Sequence, residues 1–451
     1  MLINKVSRMP KFHLAFFTNA RPHGWGVNGP IPWSGHDSRP EVWQSGTFLV
    51  DLARAIERAG FDYLMLEDHS VIADRYKGTT EVDLKQAIRG ARLDPLPVIT
   101  YLAAHTTRLG LVSTLSTSFY PPFLLARLMA TVDHLSRGRA GWNIVTGGED
   151  EAAQAFGIGE KMPPHDERYD RADEFVDIAT QLWAAWQPDA VVHDESIATY
   201  ADFTKVRSFA YQGEYFRSRG PLNIARSPQG RPVFCQAGSS PRGRAFGARH
   251  ADTIIAATAG EDPIAAAKEF RDDIRRRRIE NGNNPDDCKV LFPVLPVLAD
   301  TQEEADAIAS RLPKIDQNAI DRVLAGLSAD NNIDFSQFAL DEPLPQIDTE
   351  GHRGTLAAFA KQGRTLREMV EARLGRSTRT LQFVGTPALV ADRMGGVIDE
   401  IGGDGFLIHA FPLTRRYIAE ITDGLVPELQ KRGLVRTAYE HEHFRDNLLS
   451  Y

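Results

Sequence analysis

Phe48-Leu49-Val50-Asp51-Leu52-Ala53-Arg54-Ala55-Ile56-Glu57-Arg58-Ala59-Gly60 runs directly into Phe61-Asp62-Tyr63-Leu64-Met65-Leu66-Glu67-Asp68-His69. The first part is an amphipathic helix pattern. Gly60 stands where a left-handed C-cap is expected, since glycine enters that conformation without a Cβ clash. Residues 63–66 then read as a buried strand that ends in two carboxylates and an imidazole. The same alternation extends in both directions. Further strands are predicted at 12–18, 109–113, 141–146, 233–236, 253–256, 290–298 and 406–408. Helical patterns lie between them at 123–135, 168–186 and 263–280, most clearly in Phe175, Ile178, Ala179, Leu182 and Trp186.

The strands lack strict apolar–polar alternation, which points to burial on both faces and hence to a parallel sheet covered by helices. About eight strands, each followed by a helix, predict an α/β fold of the (β/α)8 TIM-barrel type. A doubly wound open sheet is the alternative, with fewer strands. The expectation is a single domain over 1–451, with insertions near 21–46, 187–231 and 312–380 placed at the C-terminal face of the barrel, where loops build the site. The second insertion carries hairpin-like sequence around Ser208–Arg219.

Composition narrows the function. The chain has 451 residues, 42% hydrophobic and 25% charged, which excludes disorder and disulfide scaffolds. Lys plus Arg number 52 against 60 Asp plus Glu, with no basic block to neutralise a phosphate backbone, so nucleic acid is not an expected partner. Two cysteines, Cys235 and Cys288, read as reduced thiols of a cytoplasmic protein. No apolar run approaches the ~20 residues of a membrane span, and the stretch 12–17 is too short for a secretory signal.

Walker A, zinc HExxH and nucleophile-elbow patterns are missing from the sequence, which disfavours a serine-triad hydrolase. Four features carry chemistry. Glu67, Asp68 and His69 end a strand, either as a solvated loop start or, in a barrel, on the site face. Asn143 sits inside an apolar strand, where a buried amide either ties loops together or faces a polar ligand. Phe234 to Gly243 runs from strand through a small-residue turn into a helix. Ser240 there is a natural N-cap, and the same turn suits a phosphate cradle. His165-Asp166-Glu167-Arg168-Tyr169 opens another helix, with acidic residues that complement its dipole and a tyrosine hydroxyl that suits an anion.

These features, in this order, resemble the flavin-dependent monooxygenases of the bacterial-luciferase superfamily. The similar branch holds the nitrilotriacetate, EDTA, dibenzothiophene-sulfone and long-chain alkane monooxygenases. The resemblance covers nearly the whole chain. It is most specific in Thr131-Val132-Asp133-His134-Leu135-Ser136-Arg137-Gly138-Arg139, in Trp142-Asn143-Ile144-Val145-Thr146, in His165 to Tyr169 and in Gln236 to Gly243. It implies bound FMN, used as FMNH2, with O2 as co-substrate. Asp68, Thr114 and Asn143 would line the flavin ring, Gly148 would pass close to it, and Tyr169, Gly238, Ser239 and Ser240 would hold the phosphate. No metal site is expected.

The resemblance further implies a separate NAD(P)H:flavin reductase that supplies FMNH2, a small organic substrate, and a homodimer or homotetramer. Some relatives carry a histidine in the loop after the fourth strand, where this chain has Gly148. His23 and His69 are therefore the candidates for proton transfer, and His409, which ends the last strand, is a third. The other readings are a deazaflavin-dependent dehydrogenase and a non-catalytic flavin-binding barrel. Trp25, Trp33, Phe119 and Tyr120 lean towards a neutral, moderately hydrophobic substrate, with C–S, C–N or C–halogen cleavage among the outcomes. Arg21, Arg39 and Arg75 look too scattered for a polycarboxylate.

Overall fold

The computed structural model describes residues 11–22, 43–256, 262–310, 315–345, 365–375, 381–409 and 413–451. Eight parallel strands close on themselves. They are β1 (His13–Asn19), β2 (Tyr63–Glu67), β3 (Gly110–Ser116), β4 (Ala140–Val145), β5 (Val233–Gln236), β6 (Thr253–Ile255), β7 (Lys289–Leu298) and β8 (Gly405–His409). Each pairs with its sequence neighbours, β6 joins β7 through Thr253 and Lys289, and β8 returns to β1 with Gly405 opposite His13. The predicted (β/α)8 barrel is what forms, and the open sheet is excluded by this closure.

Helices alternate with the strands. They are α1 (Thr47–Ala59), α2 (Pro95–Ala103), α3 (Pro122–Ser136), α4 (His165–Trp183), α5 (Pro241–His250), α6 (Pro263–Glu280) and α7 (Pro387–Ile401), followed by a helical stretch over 415–431. Gly60 ends α1 at φ 86, with its N–H on the Ile56 and Glu57 carbonyls, as the sequence predicts. The outward side chains of the strands meet the helices in one large core that includes Trp142, Phe175, Phe234 and Phe406. Among the described residues no helix is long and apolar enough to cross a membrane.

Inside the barrel, Ala15, Tyr63, Met65, Val112, Cys235 and Leu407 pack against Phe444 and Leu448, which come from the last turn of the chain. Phe444 enters because Gly110 and Gly141 leave space: a Cβ on Gly110 would lie 2.7 Å from its ring, and one on Gly141 3.2 Å. Nearby, Asp62 accepts from His13 Nδ1 at 3.0 Å and is paired with Arg436. Burial pushes the Asp62 carboxyl up, but Arg436 and His13 outweigh it and hold the group below its ordinary value. The N-terminal end of the barrel is thus plugged.

The placement of the insertions corrects one expectation. The segment near 187–231 follows α4, not β4, and the chain has by then returned to the N-terminal ends of the strands. Its hairpin, Phe209–Gln212 with Arg217–Gly220, packs on the outside of α3 and α4 and takes no part in the site face. The 312–380 insertion comes after β7 and the short helix Gln302–Ala309, and it reaches the site face, where Asn332 and Asp330 meet Gly148 and Arg89. Helices Gln317–Asn331 and Leu366–Gly375 in it build a second core with Tyr76 and Phe335. A ninth strand, Leu381–Gly385, was missed by pattern. It pairs with the far half of β7, residues 294–298, after β8 has taken the near half.

Candidate active site

The strand ends opposite the plug carry the polar residues. Thr114 and Asn143 are opposite each other in the β3–β4 register, and Asn143 Nδ2 donates to Thr114 Oγ1 at 2.9 Å. Both are buried. The other amide atom, Asn143 Oδ1, has no hydrogen-bond partner among the described residues. A buried polar atom left in that state costs about 1–3 kcal/mol, which a donor placed at the barrel mouth would relieve.

Three residues after Cys235, which lies opposite Asn143 across the β4–β5 pair, the chain reaches Gly238. The loop Ala237–Ser240 leads into α5, where Ser240 caps Gly243 N–H at 3.0 Å and Pro241 occupies the first turn. Tyr169, from the start of α4, closes the other wall. A Cβ on Gly238 would fall 2.8 Å from Tyr169 Oη and 3.0 Å from Gly243 Cα, so only glycine fits where the loop, the tyrosine and the helix start meet. Gln236 donates to the Tyr169 hydroxyl, burial pushes that phenol up, and His165 Nε2 lies 3.4 Å from Ser240 Oγ. Arg242 reaches over the Tyr169 ring at 5.5 Å while paired with Asp170 and Asp173. Tyr169, Gly238 and Ser240 are therefore brought together at the start of α5, and a helix N-terminus favours an anion.

Asp68 is half-buried just beyond β2. Burial pushes its carboxyl up to about 6, against the pull of Arg92. Gly147 has φ 69 and abuts Phe119, Met162 and Ser116, and Phe119 stacks on Phe156 at 4.4 Å. Gly148 follows in an ordinary conformation, and a Cβ there would meet nothing nearer than Arg168 Nη2 at 3.7 Å. Its lack of a side chain therefore opens room on the site face. His409 ends β8, where burial lowers its pKa to about 4 and keeps the imidazole neutral at physiological pH. His23 lies outside the described residues, as do Trp25, Trp33 and Arg39.

His69 is held between two carboxylates. Its Nε2 meets Glu67 Oε1 and its Nδ1 meets Glu149 Oε1, both at 2.9 Å. Burial lowers its pKa, but bonds to Glu149 and then Glu67 outweigh that and raise it to about 9. The ring is an imidazolium clamped between two carboxylates. Glu67 also accepts from Asn19, and Glu149 is paired with Arg89, which reaches Asp330 of the insertion. Glu149 and Arg89 were not legible in the sequence, because nothing periodic links residues 60 or more apart.

A histidine whose folded pKa is raised adds stability that is complete below its unfolded value near 6.5 and is lost as pH rises through about 9. The urea midpoint of the protein is therefore expected to fall between pH 6.5 and 9.5, and His69→Gln to flatten that part of the profile. An unchanged slope in the variant would show that His69 is not the titrating group.

A family model described as luciferase-like monooxygenase matches residues 13–405. The N-acetyl-S-(2-succino)cysteine monooxygenase of Bacillus subtilis (strain 168) is 34% identical over 428 residues, covering 91% of this chain and 92% of the relative. The dibenzothiophene-sulfone monooxygenase of Rhodococcus erythropolis (strain XP) is 34% identical, with 98% and 97% covered. Among solved structures, riboflavin lyase with modified FMN and riboflavin superposes with a TM-score of 0.85 at 33% identity, covering 98% of this chain and 96% of that one. The fold and these relatives together define a barrel enzyme of the flavin-dependent monooxygenase class. The chain belongs to the luciferase-like monooxygenases.

Proposed function

We propose that this protein is the oxygenase of a two-component system, which takes FMNH2 from a separate NAD(P)H:flavin reductase and uses O2 to oxygenate a small organic substrate. The observation that carries the reading is the close approach of Gly238 to Tyr169 Oη at the start of α5, on the strand next to the partnerless Asn143 Oδ1. One phosphate and one donor edge of a ring are what those two features require.

In this reading Ser239, Ser240 and Tyr169 hold the phosphate, with Arg242 and the α5 dipole adding positive potential. Asn143, Thr114 and Asp68 orient the polar edge of the ring, and the residues at Gly147 and Gly148 pass beside it. Reduced FMN bound there supplies the electrons that split O2, with one oxygen atom going to the substrate and the other to water. Phe119 and Met162 beside Gly147, with Phe156 stacked on Phe119, form an apolar surface that suits a moderately hydrophobic molecule. His409, half-buried at the end of β8, and His23 are the candidates for proton transfer in this reading. His69 is assigned to holding the site together and not to proton transfer. A cytoplasmic homodimer or homotetramer completes the proposal, on the strength of the resemblance.

The test is an anaerobic titration with photoreduced FMN, followed by stopped-flow mixing with oxygenated buffer. Saturable binding, with an absorbance phase distinct from oxidised and reduced flavin, is expected. Reduced FMN that oxidises as it does in free solution, without saturable binding, would overturn the reading.

A further inference from the structure

We propose that Asn332, in the insertion after β7, is a positioning residue for the loop at 147–150, so that the insertion sets the shape of the flavin face. The inference rests on the flavin reading for what the loop touches, while the clamp itself stands on geometry alone.

Asn332 ends the helix Gln317–Asn331 in the left-handed conformation, φ 55 and ψ 34, with its N–H on Ser328 O. Glycine makes such a cap with no steric cost, and asparagine is tolerated there at some cost. The cap alone therefore does not call for a side chain. The Asn332 side chain explains its presence: Nδ2 donates to Gly148 O at 2.7 Å, and Oδ1 accepts from Asp150 N at 3.1 Å. Both ends of one amide grip a single tripeptide, which fixes its orientation as well as its position. The partners are 184 and 182 residues away in sequence.

Glu149, between the two gripped residues, is held by His69 and by Arg89, and Arg89 also pairs with Asp330, two residues before Asn332. The opposite side of the loop rests on Phe119, Met162 and Ser116 through Gly147. Asn332 is itself presented by a rigid base. Ile320, Leu324 and Leu327 of its helix pack with Phe335, Leu366 and Val370 in the second core. A shift of the insertion is thus passed to the loop through two hydrogen bonds and an ion-pair relay.

Two variants test this. Asn332→Gly keeps the left-handed cap and removes both bonds. Asn332→Asp keeps the acceptor for Asp150 N–H and loses the donor to Gly148. In hydrogen exchange of the protein without flavin, peptides spanning 147–151 are expected to exchange at least about tenfold faster in Asn332→Gly, with strand protection unchanged. Asn332→Asp is expected to fall between that variant and the natural chain. The dissociation constant for photoreduced FMN is expected to rise about tenfold in Asn332→Gly, the loss of one to two neutral hydrogen bonds' worth of positioning.

Unchanged exchange at 147–151 overturns the clamp, and faster exchange with unchanged FMN affinity overturns its role at the flavin face. If Asn332→Gly loses protection throughout the barrel, the same two readouts on Asn332→Asp decide. Failure of the natural chain to bind FMN sinks the flavin reading and with it this role, while the exchange data still judge the clamp.

Discussion

Gly238→Ala is expected to weaken FMN binding by at least about 100-fold, roughly 2.8 kcal/mol. The new methyl group would sit 2.8 Å from Tyr169 Oη and 3.0 Å from Gly243 Cα, and closer still to Gln236 Nε2. Gln236 and Tyr169 have side-chain freedom, but Gly243 Cα belongs to the first turn of α5 and does not yield. The methyl therefore pushes the loop or Tyr169 away from the helix start, where the phosphate is proposed to bind. Tyr169→Phe isolates the hydroxyl, since the ring keeps its contact with Phe246 at 5.6 Å. Hydrogen bonds to charged groups are worth about 1.5–3 kcal/mol, so a loss of about tenfold or more is expected there. Quenching of FMN fluorescence measures both. Natural affinity in the two variants together would move the phosphate elsewhere.

Phe444→Ala is expected to cost about 3–5 kcal/mol of stability without touching the flavin. The ring is fully buried inside the barrel, 5.5 Å from the Tyr63 ring and over Gly110 and Gly141. Two strands give up their side chains to admit it, so no neighbour is available to fill the cavity. Urea unfolding followed by tryptophan fluorescence gives the shift in midpoint. FMN affinity, measured at the opposite end of the barrel, is expected to stay within about twofold of the natural value. A loss below about 1 kcal/mol would mean that the surrounding side chains close the space, and that the plug adds little.

The helix-and-strand unit at residues 48–69 and the glycine that separates its halves were legible because both are local. Periodicity and a left-handed cap depend on residues within one or two turns of each other. The Ser240–Pro241 helix start was legible for the same reason. His69 shows the limit of such reading. A histidine beside a carboxylate at a strand end gives no sign of Glu149, 80 residues on, which meets its other nitrogen. The insertion at 187–231 shows another limit, since length and composition do not reveal which end of a barrel a loop occupies. That depends on whether the preceding element runs up or down.

The sequence alone determined the alternation of strands and helices, the barrel that follows from it, and the turn at Gly238–Ser240, because each is specified by neighbours in the chain. Only the tertiary structure decided that β8 closes on β1, that the last residues plug the barrel, and that Asn332, Arg89 and Glu149 meet at the loop after β4. Those contacts join residues far apart in sequence. Burial and charge pairing select them once the chain is compact, and they leave no local pattern to read.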